Sequence, residues 1–271
     1  MTILFEQLPV EIQADETNIH HAQNQKELVL GDGFAVPQTN AFGHNFRDYT
    51  VESARQQGVE FFYKINHFNQ TYDYVSKMRI EYAKLDKAEM SIWECCELLN
   101  DVVDDSDPDL DEPQIQHLLQ NLGKVLLLPS FGELPQWAVV GDTFPVGCAF
   151  HDSIVHSKYF KENPDYNNPA YNSKFGVYSE GCGLDKVAKD NGTTLPSAGL
   201  FIIRYHSFYA LHKSGAYKEL MTEEDKENLK WLHIFNKYDL YSKSKVQVNV
   251  EEVKPYYMSL IEKYFPAKLK W

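Results

Sequence analysis

Amphipathic segments with a helical period make up most of this sequence, and they constrain its fold more than any other feature. Between residues 50 and 85, apolar side chains recur at the spacing of one helix face. They are Phe61, Phe62, Ile65, Phe68, Tyr72, Val75 and Met78. The segment SIWECCELLNDVV at 91–103 has the same period, and Ser91 stands where it can cap the first turn. These patterns predict an all-α fold.

Further helices are predicted in the middle and at the end of the chain. PQIQHLL at 113–119 begins with a proline, which suits a first helical turn. Three closing helices are predicted at 197–214, 222–243 and 250–265, and the second of them opens on TEED, a capping signature. One segment differs, because QWAVVGDTFPVG at 136–147 is rich in β-formers around a Gly-Asp turn. It predicts a small β-hairpin appended to the helical domain.

The predicted domain organisation is simple. Residues 1–40 are polar, acidic and aperiodic, which predicts a mobile N-terminal tail. Residues 41–271 contain no internal repeat and no linker, and they are numerous enough to bury a single sizeable core. We therefore expect one helical domain after the tail.

Charge and cysteine usage exclude several classes of partner. The formal net charge of −13 opposes binding to nucleic acid or to anionic membrane surfaces. No apolar run approaches the roughly 20 residues that span a bilayer, and no signal peptide follows Met1. The four cysteines, at 95, 96, 148 and 182, have no CxxC spacing. This favours reduced thiols and a cytoplasmic location, without a disulfide framework.

Two segments resemble a calcium-binding loop and a phosphate-binding loop, but each lacks a residue that such a loop requires. The acidic run at 104–112 alternates like a calcium loop, but Leu110 stands at the sixth position, where glycine is required. Gly123-Lys124 lacks the earlier glycine of a phosphate-binding loop, and Val125 follows it.

Three chemically active side chains lie on predicted apolar helices. His117 lies in IQHLLQ, His206 in RYHSFY and Asp239 in FNKYDLY. Each of them alone is more often a hydrogen-bonded core residue than a metal ligand. Imidazole and carboxylate groups from three helices are nevertheless what a metal site inside a helical bundle requires. Spacing alone leaves both interpretations open.

Several longer motifs resemble the myo-inositol oxygenase family. They are FRDY (46–49), DDSDPDLDEPQIQHLLQ (104–120), LGKVL, GELPQWAVVGDTFPVGC (132–148), RYHSFY (204–209), FNKYDLYSK (235–243) and KPYYMSLIEKYFP. The similarity extends from about residue 28 to Trp271, and MSIWECCELLN and FPAKLKW are similar to the plant members in particular.

The resemblance implies an all-α, HD-domain-like helical bundle that holds two non-haem irons. It implies use of O2 to cleave the ring of myo-inositol to D-glucuronate. The partners would be inositol and O2, and we expect a monomer. Of the family's six iron ligands, four histidines and two aspartates, the motifs assign His117, His206 and Asp239. The substrate-binding residues that carry over are Arg47, Asp104, Asp105, Ser106, Lys124, Gly141, Asp142, His206, Ser207 and Lys243, and Lys124 beside the metals is assigned a catalytic role.

The chain departs from the family pattern at two places. The family has a loop and helix after HLLQ that end in His-Asp just before LGK, whereas Gln120-Asn121 stand there in this chain. The family has GHD before VAKDNG, whereas this chain joins KV directly to AKDNG. Three of six ligands, including the carboxylate that bridges the irons, are therefore absent. Two clean excisions between close matches are typical of skipped exons or a faulty gene model, not of gradual drift.

Three functions remain as hypotheses. The first is an active inositol oxygenase, and the second is a catalytically dead remnant that binds at most a polyol or a partner. The third is a phosphohydrolase of the HD type. No His-Asp pair lies between His117 and Lys124, and His151-Asp152 follows the hairpin, which argues against the third.

Overall fold

A computed structural model describes the backbone of a subset of the chain. The described residues are 29–30, 34–35, 54–99, 146–169, 184–239 and 248–271. The predicted helix at 113–119 lies outside them, as does the predicted hairpin at 136–147 except for its last two residues. Helices dominate the described part, as the all-α prediction requires. No helix in it is long and apolar enough to cross a membrane.

The chain divides into two units, Met1–Val36 and Pro37–Trp271. In the first unit, strand β1 (Val29–Leu30) pairs antiparallel with β2 (Phe34–Ala35), so that Leu30 lies opposite Phe34. This pair falls inside the segment predicted as a tail. The domain boundary near residue 40 stays a prediction.

The segment predicted as helical at 50–85 forms two helices. They are α1 (Ala54–Asn69) and α2 (Tyr72–Tyr82), separated at Gln70-Thr71. The apolar stripe does not face the core throughout, because Phe61 is 63% and Phe68 is 45% exposed. α1 instead buries Val59 together with polar residues of its last turn, among them His67.

The second predicted helix is confirmed as α3 (Ile92–Leu99), and so is its cap. Ser91 Oγ accepts the backbone N–H of Glu94 at 3.1 Å, and the Glu94 carboxylate accepts the backbone N–H of Ser91 at 2.7 Å. This reciprocal pair is a capping box, which satisfies two amides that the helix itself leaves without partners.

Strand β3 (Glu89–Met90) brings the C-terminus of the chain against α3. It pairs antiparallel with β4 (Leu269–Lys270). Trp271 donates its indole N–H to the carbonyl of Met90 at 3.0 Å. The buried cluster around this pairing is Ile92, Trp93, Cys95, Cys96, Ile261, Leu269 and Trp271. Burial raises the pKa of the Cys95 and Cys96 thiols to about 12, which keeps both protonated.

The closing part of the chain forms a second buried cluster. The helices of this part are α4 (Leu184–Asp190), α5 (Ser197–Tyr205), α6 (Tyr209–His212), α7 (Glu223–Asp239) and α8 (Val250–Tyr264). Residues of α5, α6 and α7 contribute to the second cluster, whereas α8 packs with α3. The region predicted as one helix at 197–214 is thus interrupted at 206–208. The predicted cap of α7 is confirmed, because Thr222 Oγ1 accepts the backbone N–H of Asp225 at 3.1 Å.

The last turn of α1 packs on a 3-10 helix at Ser157–Glu162 through a buried histidine. His67 donates its Nε2–H to the carbonyl of Val155 at 2.7 Å, and its ring lies 4.2 Å from the ring of Phe160. Burial lowers the pKa of His67 from 6.5 to about 4, and the nearby His156 acts in the same direction. The folded protein therefore holds this imidazole neutral.

We predict that His67 makes the stability fall with acidity between about pH 6.5 and pH 4. Below pH 6.5 the unfolded chain binds a proton at this residue and the folded chain does not. Acid therefore stabilises the unfolded state relative to the folded state. The loss reaches roughly 3 kcal/mol by pH 4 at one pKa unit per 1.36 kcal/mol, and below that pH it stops growing. The measurement is urea unfolding at a series of pH values.

The His67→Gln variant keeps a donor for Val155 but cannot titrate, so its free energy of unfolding should change less over this pH window. His233→Gln, at an exposed position on α7, controls for the removal of a histidine and should behave as the parent. If the free energy of unfolding changed equally with pH in the parent and in His67→Gln, His67 would not be the cause of the loss.

Candidate functional site

The structure describes part of the predicted site. His206 and Ser207 are described, and Asp239 is placed as the last residue of α7 without its side chain. The other predicted site residues lie outside the described part of the chain: Arg47, Asp104, Asp105, Ser106, His117, Lys124, Gly141, Asp142 and Lys243. Convergence of His117, His206 and Asp239 therefore stays a prediction.

His206 occupies the C-cap of α5 and is 4% exposed. Its backbone N–H bonds to the carbonyl of Ile202 at 2.9 Å, which completes the last helical turn. Its ring Nδ1 lies 3.1 Å from the same carbonyl. A carbonyl can only accept, so Nδ1 carries a hydrogen, and in the neutral imidazole Nε2 is then the nitrogen with the lone pair. A histidine that ligates a metal commonly has this arrangement, with one ring nitrogen donating to a carbonyl.

Helix α7 packs against α5 and supplies the wall behind His206. The ring of Phe235 meets the ring of His206 edge to face, with the centroids 5.9 Å apart. Leu232, one turn earlier, is completely buried. Asp239 follows Phe235 by four residues, so the two positions share one face of the helix. The backbone register is therefore compatible with the predicted pairing of Asp239 and His206.

Two polar residues that the sequence did not reveal connect these helices. His212, at the end of α6, places Nε2 at 3.0 Å from the backbone carbonyl of His206. Asn236, on α7, places its amide nitrogen 3.0 Å from His212 Nδ1 and 3.4 Å from His212 Nε2. Burial disfavours the charged imidazole and is the main reason that the pKa of His212 is lowered. In the sequence, His212 and Asn236 are marked only as polar residues close to aromatic ones, in YALH and FNKY.

The second of the two predicted excisions falls inside α4. Val187 and Ala188, which meet at this junction, lie in one continuous helix, and Ala188 is completely buried. The backbone N–H of Asn191 bonds to the carbonyl of Val187 at 3.1 Å, so the helix closes normally beyond the junction. The chain therefore passes through this point without an interruption of its helical hydrogen bonds.

Within the described residues, no group of three or more His, Cys, Asp or Glu side chains lies close enough to hold a metal ion. The predicted ligands could not form such a group there, because His206 is the only one of them whose side chain is described.

The family model of myo-inositol oxygenase matches this chain in two stretches, residues 56–121 and residues 118–271. Together they cover most of the chain. The chain belongs to the myo-inositol oxygenase family. The resemblance stated from the motifs is thereby confirmed.

Curated relatives agree with this assignment. Inositol oxygenase 1 of Arabidopsis thaliana is 66% identical over 284 aligned positions, which cover 92% of this chain and 91% of the relative. Inositol oxygenase 2 of the same plant is 61% identical over 318 positions and covers all of both chains. The inositol oxygenase of Mus musculus is 39% identical, over 84% of this chain and 91% of the relative. The greater identity to the plant proteins agrees with the motifs.

We predict that Leu232 carries much of the packing between α5 and α7. Leu232→Ala should lower the free energy of unfolding by about 2–5 kcal/mol, because it removes a fully buried side chain and leaves a cavity. Ile234→Ala, two residues along the same helix at a position that is 36% exposed, should cost about 1 kcal/mol or less. Urea unfolding measures both, and equal losses in the two variants would contradict this packing.

Proposed function

We propose that the chain has the function of its family, the O2-dependent cleavage of the myo-inositol ring to D-glucuronate in the cytosol, on an HD-domain-like fold. The observation that carries the proposal is the family match over residues 56–271. The names of the relatives, which range from a plant to a mammal, support it. They support it most strongly at the plant identity of 66%.

The substrate would be bound by hydrogen bonds. Myo-inositol is neutral and carries a hydroxyl on every ring carbon, so a pocket for it needs many donors and acceptors. The residues that would supply them are Arg47, Asp104, Asp105, Ser106, Lys124, Gly141, Asp142, His206, Ser207 and Lys243. Lys124 and Asp142 would provide a charged donor and a charged acceptor. Lys124 would also stabilise an alkoxide on the substrate, because its ammonium group is cationic.

The residues of this chain fit one metal ion better than two. His206 has the tautomer that ligation needs, with Nδ1–H donated to Ile202 and the Nε2 lone pair left for a metal. His117 and Asp239 would add one imidazole and one carboxylate. Iron in such a site would bind substrate oxygens and O2. Three protein ligands do not fit a pair of irons, and the motifs assign no second carboxylate as a ligand that could bridge them.

A second candidate function is favoured by the lengths of the alignments. The alignment with Inositol oxygenase 2 has 318 positions against 271 residues in this chain, so at least 47 positions face no residue of it. The family match is also divided, and its two stretches meet at residues 118–121, where the first excision is predicted. Loss of ligand segments supports a catalytically inactive member that retains the fold around α5 and α7.

The inactive candidate predicts that this chain forms no detectable glucuronate from inositol, even with ferrous iron and a reductant supplied. Loss of a single outer contact to a ligand costs roughly 10–100-fold in metal affinity, and loss of three ligands should cost far more. The measurements are iron per chain and glucuronate formed, on protein whose intact mass has been verified.

The matched control is a restored chain in which the corresponding segments of Inositol oxygenase 1 are inserted after Gln120 and after Val187. The restored chain should bind iron and form glucuronate. Glucuronate from the unmodified chain at the rate of the restored one would contradict the inactive candidate. An inactive restored chain that is folded and loaded with iron would contradict the oxygenase proposal.

Within the restored chain, Lys124→Ala should weaken inositol binding by about 10–100-fold, because a hydrogen bond to a charged group contributes roughly 1.5–3 kcal/mol. Isothermal titration with inositol measures the affinity. Lys230→Ala removes a lysine from an exposed position of α7 and should bind inositol as the parent does. Equal affinities for the two variants would remove Lys124 from the substrate site.

A further inference from the structure

We propose that His212 and Asn236 are positioning residues, which fix the backbone and ring of His206 from α6 and α7. The proposal rests on the proposed function, because it is the predicted part of His206 in metal and substrate binding that makes its position matter. The observation behind it is a continuous chain of contacts from Asn236 through His212 to the carbonyl of His206.

The direction of each hydrogen bond in this chain follows from the groups themselves. The carbonyl of His206 can only accept, so His212 must carry its hydrogen on Nε2. The amide nitrogen of Asn236 can only donate, and it lies over the imidazole ring of His212, 3.0 Å from Nδ1 and 3.4 Å from Nε2.

The contact at the His206 carbonyl acts on the ring of the same residue. The helix α5 ends at Tyr205, and the carbonyls at a helix end need partners from outside the helix. The hydrogen bond from His212 to this carbonyl restrains the peptide group that follows His206. The backbone N–H and the ring Nδ1–H of His206 both donate to the carbonyl of Ile202. The orientation of Nε2 is therefore determined by three hydrogen bonds.

Asn236 extends the same restraint to α7. It precedes Asp239 by three residues, less than one helical turn, on the helix that carries this predicted ligand. The bond from Asn236 to His212 therefore sets the separation between the end of α5 and the end of α7. The oxygen of the Asn236 side chain is buried and has no hydrogen-bond partner in the described part of the chain. The amide is thus held through its nitrogen, which faces His212.

The test uses the full chain without metal and reads the His206 ring directly. Long-range ¹H–¹⁵N NMR reports which ring nitrogen carries the hydrogen, and hydrogen exchange reports the bond from the His206 amide to Ile202. The parent should show His206 with its hydrogen on Nδ1 only. His212→Phe and Asn236→Leu should each give a mixture of tautomers and about tenfold faster exchange of the His206 amide, since each removes a hydrogen bond.

His212→Gln supplies an amide donor to the His206 carbonyl and should restore the parent tautomer, which a general loss of packing would not allow. Glu227→Leu, at an exposed position of α7, is the matched control for Asn236→Leu and should leave both readings unchanged. If His212→Phe does not fold, Asn236→Leu decides. Parent-like tautomer and exchange in every folded variant would overturn the proposal. Neither reading needs iron or turnover, so failure to form glucuronate would count against the proposed function alone.

Discussion

The interruption between α5 and α6 is the constraint on which the described site depends. A helix that stops at Tyr205 presents carbonyls without helical partners, and Tyr205 and His206 are each only 4% exposed, so partners from the protein are needed there. His212 meets this requirement for the carbonyl of His206. The same interruption places His206 at a C-cap, where its ring can turn back to the carbonyl of Ile202.

A similar solution appears at the end of α1. One amide group, that of Asn163, donates to the carbonyls of His67 and Gln70 at 2.6 and 3.1 Å. In both places a side chain from outside the helix bonds to carbonyls at the helix end: Asn163 from a distant segment at α1, and His212 from the next helix at α5. The cost of leaving such groups unpaired is about 1–3 kcal/mol each, so these bonds fix where the helices end. They also explain why buried polar residues concentrate at the two interruptions.

The sequence predicted the helices better than it predicted their ends. Periodicity placed α3, α7 and α8, and the caps at Ser91 and Thr222 were recognisable because both partners lie within three residues. The interruptions at Gln70-Thr71 and at 206–208 were missed, since neither contains a proline or glycine. Motifs predicted His206 as a site residue, and that assignment stays a prediction. They could not identify His212 and Asn236, whose roles depend on contacts between separate helices.

Helix α4 shows why local order and catalytic competence are separate questions in this chain. Its junction residues Val187 and Ala188 are flanked by the ion pairs Lys186–Asp190 and Asp185–Lys189, both at the helical i,i+4 spacing. Such pairs stabilise a helix by only about 0.2–0.5 kcal/mol each, and both of them span the predicted junction. Helical hydrogen bonds are local, so they can form across an excision. A metal site is not local, because each ligand must come from its own element, so a helix that closed over the predicted excision would supply no ligand there.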